Sequence, residues 1–98
     1  MVGQSEREVF LAASREAVMA AVEAAARVMG SLIESSHTTG TARIRTRYGL
    51  QSIRLRVSVI PVEGGVRMSV HGTGDDTSGR GARLGTDKFL VALRRRIG

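Results

Sequence analysis

Five arginines alternate with other residues in the middle of the chain: Arg43, Arg45 and Arg47 in one run, Arg54 and Arg56 in the next. A β-strand points successive side chains to opposite faces, so this spacing gathers all five on one face of a sheet. A face paved with guanidinium groups can neutralise phosphates, or it can be covered by another protein surface. Like charge spread over a sheet costs stability unless something neutralises it. The question posed by these residues is therefore what covers them.

The other chemistry-bearing residues form weaker patterns. Asp75 and Asp76 stand in a Gly-rich stretch with Ser78, but their spacing matches neither a calcium loop nor a phosphate-binding Gly-Lys motif. They read as a connector, with Arg80 and Arg83 nearby as minor anion-binding candidates. Ser35, His37, Thr46 and Tyr48 fall on the apolar side of the strands and could line a small ligand pocket. No nucleophile or carboxylate is expected beside His37, and His71 lies on the opposite face from it, so the two make no metal pair. Catalytic residues, a metal site and a cofactor are not called for, and the chain reads as non-enzymatic.

These residues must be positioned by a small domain. Ninety-eight residues support a single domain, 1–98, with one core. Only three residues are aromatic, so Val, Ile, Leu, Met and Ala must fill that core. The formal charge is +6 and the sequence pI about 11.4, which permits a polyanionic partner without demonstrating one. Fourteen of the fifteen basic residues are Arg, with Lys88 the exception. Cysteine is absent, which rules out disulfides and thiolate metal sites. Neither a signal pattern nor a membrane-length apolar run is present, so a cytoplasmic location without a membrane partner is the expectation.

The periodicity predicts a β-α-β-β-β-β-α order. Residues 6–12 read as a strand. Ser14 is placed to cap a helix, Glu16 sits in its first turn, and Gly30 ends it. Val18, Val22, Ala25 and Met29 recur at helical spacing. Four strands are expected at 31–38, 41–48, 52–61 and 66–72, with turns at Thr39-Gly40, Gly49-Leu50 and Glu63-Gly64. A last helix should run over 86–97, with Phe89, Leu90, Leu93 and Ile97 as its apolar stripe and Arg94, Arg95 and Arg96 in its last turn.

Tight turns set register. On this reading Arg45 faces Arg54, Arg43 faces Arg56, and Arg56 faces His71. Glu34 faces Arg45 as the one close acid, Ser36 faces Arg43, and Glu8 can reach Arg67. Ile33, Ile44, Ile53, Leu55, Val57, Val59, Val66, Met68 and Val70 then share one face, which both helices must cover. Leu32, Ile60 and Phe10 join the arginines on the other.

This layout resembles the TATA-binding-protein-like and helix-grip folds. Within them it is similar to a family of small uncharacterised bacterial proteins. The resemblance rests on Ala12-Ala13-Ser14-Arg15-Glu16 leading into the first helix and on Thr38-Thr39-Gly40-Thr41-Ala42-Arg43-Ile44. It rests also on Leu84-Gly85 to Phe89-Leu90 at the last helix. A Trp-Gly pair associated with such proteins near the central hairpin is replaced by Gln51-Ser52. The resemblance implies an α+β domain with a curved antiparallel sheet and both helices on one face, and it implies no activity.

The leading expectation is a homo-oligomer or protein-partner interface on the sheet face of Arg43, Arg45, Arg47, Arg54, Arg56 and Arg67 with Glu34 and His71. Sequence-indifferent nucleic-acid binding by the same face is the alternative. A small apolar ligand held beneath the last helix by Ser35, His37, Thr46 and Tyr48 is the second alternative.

Overall fold

A computed structural model describes residues 3–75 and 78–97. The elements follow the expected order: β1 (Gly3–Leu11), α1 (Arg15–Met29), β2 (Ser31–Ser36), β3 (Thr41–Tyr48), β4 (Gln51–Val62), β5 (Gly65–Gly74) and α2 (Arg80–Ile97). The five strands form one open antiparallel sheet in the order β1-β5-β4-β3-β2. β4 is therefore the central strand, and the chain's first strand closes against its last.

Both helices cover the same face. Ser14 caps α1, its Oγ accepting from the Ala17 N–H at 3.1 Å, which satisfies one of the donors a helix start leaves open. Val18, Met19, Val22, Ala25 and Ala26 of α1 are buried against Ile44, Ile53, Leu55 and Val57 of the sheet. Phe89 and Leu93 of α2 complete the same core. Burying a side chain of this size contributes about 1.5–3 kcal/mol, so alternation along β3, β4 and β5 is enough to select the face.

The Gly49-Leu50 turn has the predicted register: Tyr48 opposes Gln51, Arg45 opposes Arg54, and Arg43 opposes Arg56. Gly49 lies at φ 63°, in the left-handed region a tight hairpin requires. The Glu63-Gly64 turn likewise brings Val57 to Val70, Val59 to Met68 and Arg56 to His71.

Three expectations need correction. The β2–β3 connection is the four-residue segment 37–40 rather than a two-residue turn, closed by the Gly40 N–H donating to the Ser36 carbonyl at 2.9 Å. Glu34 consequently opposes Arg43 instead of Arg45, and Ser36 opposes Thr41 instead of Arg43. A bulge between Leu32 and Glu34 then exchanges two neighbours. Leu32 packs on the core, while Ile33 is 48% exposed on the arginine side.

The third correction is the start of α2, at Arg80 instead of residue 86. Gly81 and Gly85 read locally as breakers, yet both lie where the helix passes closest to the sheet. A Cβ on Gly85 would stand 3.0 Å from Ile53 Cγ2, and one on Gly81 would stand 2.7 Å from Gln51 Oε1. Their lack of a side chain lets the helix backbone approach. Thr86 is fully buried beside them and returns its hydroxyl proton to the Ala82 carbonyl at 2.8 Å.

Among the described residues no helix is long and apolar enough to cross a membrane.

Candidate anion-binding face of the sheet

The register sorts the uncovered face into rows that cross the strands. One row runs Ser31, Arg45, Arg54, Thr73, Gln4 from the β2 edge to the β1 edge. The next runs Glu34, Arg43, Arg56, His71, Glu6. A third runs Ser36, Thr41, Ser58, Ser69, Glu8, and a fourth holds Ile60, Arg67 and Phe10. Arg47, opposite Ser52, closes the face at the hairpin end.

Six guanidinium groups thus share the face with three carboxylates, among the described residues. The carboxylates are not in the middle. Glu34 lies on edge strand β2 and reaches Arg43 at 3.9 Å, while Glu8 on edge strand β1 reaches Arg67 at 3.6 Å. All four partners are well exposed, and such pairs are worth only about 0–1 kcal/mol. Arg45, Arg54 and Arg56 have no carboxylate within ion-pair distance among the described residues. The charge of the central strands is left for solvent or a ligand to balance.

A depression of about 270 Å³ opens at this point. Arg43, Arg45, Arg54 and Arg56 border it, with His71 and Thr73 from β5 and Ile33 from the bulge. His71 is oriented by Gln4, to whose Oε1 its Nε2 donates at 3.4 Å. Of the predicted face residues, Arg43, Arg45, Arg54, Arg56 and His71 converge here. Arg47 and Arg67 lie at the two ends. Glu6, Gln4 and Thr73 were missed. Glu6 and Gln4 enter through the pairing of β1 with β5, which no hairpin turn specifies, while Thr73 follows from the β4–β5 hairpin because β5 runs two residues beyond its expected end at 72.

Phe10 and Ile60, 58% and 50% exposed, flank Arg67 and give this end of the face an apolar character.

The second set of candidates is arranged differently from expectation. Ser35 and His37 are both tied to Glu23 of α1, so a carboxylate does stand beside His37. Ser35 Oγ donates to Glu23 Oε2 at 2.6 Å, and His37 Nε2 donates to Oε1 at 3.2 Å. The Ser35 hydroxyl proton is directed at a carboxylate, not at the imidazole, so this is not the order that activates a serine nucleophile. These bonds, that from Ser35 foremost and that from His37 next, hold the Glu23 carboxyl below its ordinary range. Thr46 Oγ1 donates to the Met29 carbonyl at 3.0 Å, satisfying the end of α1, and Tyr48 is 41% exposed. The four residues accordingly do not form one pocket: Ser35 and His37 meet Glu23 near the β2–β3 connection, while Thr46 and Tyr48 lie toward the Gly49-Leu50 end of β3. The space beneath α2 holds the fully buried Phe89, Leu93 and Thr86.

Asp75 is exposed at the end of β5, and Asp76 lies outside the described residues. Ser78 Oγ accepts from the Arg80 N–H at 3.2 Å at the start of α2. Among the described residues no cluster of three potential metal ligands occurs.

No protein-family model matches the chain, and no curated protein matches it. Among solved structures, the di-domain ARO/CYC StfQ from the steffimycin biosynthetic pathway aligns with 99% of this chain at 9% identity and a TM-score of 0.47. The chain spans 50% of that protein's length.

Proposed function

We propose that this protein is a non-catalytic recognition module whose uncovered sheet face receives an anionic partner. The observation that carries this reading is the segregation of charge. Arg45, Arg54 and Arg56 sit in the middle of the face without ion-pair partners among the described residues, around a depression, while the acids stand at the edges. Opposed guanidinium groups on Arg45 and Arg54, and on Arg43 and Arg56, disfavour the empty state. An anion bound between them removes that penalty and gains charge-assisted hydrogen bonds.

Self-association is the second reading, and Phe10 with Ile60 supports it. A two-fold contact centred on the face would set Arg54 and Arg56 of β4 against their own copies. A second copy fits better at the Phe10, Ile60 and Arg67 end.

The test is anisotropy of labelled 20-residue oligoglutamate and 20-base-pair duplex DNA at 50 and 300 mM salt, with sedimentation of the unliganded protein. Binding of at least one probe that falls steeply with salt and is lost in Arg54→Glu/Arg56→Glu supports the reading. Absence of binding to either at low salt, together with a dimer that Phe10→Ser/Ile60→Ser dissociates, replaces it with self-association.

A further inference from the structure

We infer that the depression bordered by Arg43, Arg45, Arg54, Arg56, His71 and Thr73 is a site for the phosphate groups of a small ligand, such as a diphosphate ester. The inference rests on the anionic reading of the face and narrows it from any anion to a compact phosphorylated one.

Three observations narrow it. The first is the outline of the positive patch. Arg43 to Arg47 spans five residues of β3, about 14 Å, and β4 adds one neighbouring strand about 5 Å away. Across the strands the patch ends at Glu34 on one side and Glu6 on the other, in the same row as Arg43, Arg56 and His71. Along the strands it gives way to the hydroxyl residues Thr41, Ser58 and Ser69, with Glu8 at the β1 edge of the same row. An extended polyanion crossing the sheet along the Arg43–Arg56 row would meet a carboxylate at both edges, and one crossing along the Arg45–Arg54 row would find only two cations, between Ser31 and Gln4. One running along β3 and β4 would leave the arginines after a few charges. A compact anion meets only the cationic centre.

The second observation is size. About 270 Å³ is just below the range of pockets that enclose drug-sized molecules, and it suits a phosphate or diphosphate with the remaining ligand projecting toward solvent.

The third is the chemistry of the donors. Guanidinium forks bind phosphate oxygens bidentately, and the facing pairs on β3 and β4 both line this depression. Thr73 and His71 add a hydroxyl and an imidazole from β5. A singly charged carboxylate would leave most of these donors unused, whereas a diphosphate carries enough oxygens and charge for all four arginines. Ile33, displaced onto this face by the bulge, supplies an apolar contact at the rim for the ligand's organic part.

The experiment is calorimetric titration of the full chain with pyrophosphate, ADP and glutarate at one ionic strength, with amide chemical-shift mapping. The expected result is saturable binding of pyrophosphate and ADP at one site per chain, with shifts on β3, β4 and β5 and much weaker binding of glutarate. Arg54→Gln/Arg56→Gln should weaken both phosphates at least about tenfold. Arg94→Gln/Arg95→Gln, on the exposed end of α2, should leave them unchanged. Equal losses in the two double variants would overturn the site in favour of unspecific charge attraction. Failure of pyrophosphate and ADP while DNA or oligoglutamate still binds through Arg54 and Arg56 overturns this inference and leaves the anionic reading standing. Failure of every probe overturns both.

Discussion

Arg45 on β3 stands directly opposite Arg54 on β4, in a row otherwise made of Ser31, Thr73 and Gln4. Nothing in that row carries negative charge, so the pair is a standing cost to the folded chain. The cost is about 0.2–1 kcal/mol for two like charges in this position, and it falls as salt screens them. Selection for stability alone would favour a carboxylate or a hydroxyl at one of the two positions.

This gives a prediction in which stability and binding move in opposite directions. Arg54→Glu turns the repulsion into an attraction and should raise the urea midpoint, by about 0.5–1 kcal/mol in stability at low salt and less at high salt. The same variant should abolish anion binding. A variant that loses binding and stability together would mean that Arg54 supports the sheet and not a ligand.

The helix-to-strand contact at Glu23 makes a pH prediction. Bonds from Ser35 and His37 depress the folded-state pKa of Glu23 below its ordinary value of 4.5. The stabilisation is therefore fully present above the unfolded pKa and is lost as pH falls through the folded one. Comparing thermal midpoints of the wild type and Glu23→Gln from pH 7 to pH 3 should show the wild type ahead at the upper end and the gap closing below pH 4.5. A gap that stays constant over this range would mean that the carboxylate's charge contributes nothing through these bonds.

The residues at fault explain what could and could not be read ahead of the structure. Gly49-Leu50 and Glu63-Gly64 leave one hairpin geometry each, and the strands around them alternate strictly, so the facing of Arg43 with Arg56 and of Arg56 with His71 was legible. Thr38, Thr39 and Gly40 offer several turns of similar quality. β2 has only Leu32 and Ile33 to choose its face, so neither the longer connection nor the bulge had a local signal. Gly81 and Gly85 concealed six residues of helix because their purpose is contact with Ile53 and Gln51, far away in sequence. The place of Glu6 beside His71 and the contact of Glu23 with Ser35 and His37 have no local signal for the same reason. Their partners are reached through β1–β5 pairing and through the docking of α1 on β2, which are non-local.

The close approach of α2 to the sheet predicts a severe response to a small change. Gly72 of β5 faces α2, and a Cβ there would lie 2.6 Å from Thr86 Oγ1 and 3.1 Å from the Ala82 carbonyl oxygen. Thr86 is fully buried and bonded to that same carbonyl, so it cannot swing aside. Gly72→Ala should cost about 1–3 kcal/mol by overpacking, read as a lower urea midpoint, even though Ala is ordinarily the better strand residue. An unchanged midpoint would mean that α2 rides on the sheet more loosely than these distances imply.

Ser5, the β1 residue paired with Gly72, gives the opposite case. Its Oγ is buried on the side facing α2 and has no hydrogen-bond partner among the described residues. A hydroxyl buried without a partner costs about 1–3 kcal/mol, because water that would bond it is excluded. Removing the oxygen removes that cost, and the cavity left by one small atom is slight. Ser5→Ala should therefore be neutral to stabilising, by up to about 1 kcal/mol, in contrast to most substitutions at buried positions. Equilibrium unfolding in urea measures it, with Ser52→Ala on the open face as the comparison for simple loss of a hydroxyl. A clear destabilisation by Ser5→Ala, beyond that of Ser52→Ala, would show that the hydroxyl is bonded after all, and that the β1–α2 seam is held by polar contact as well as by packing.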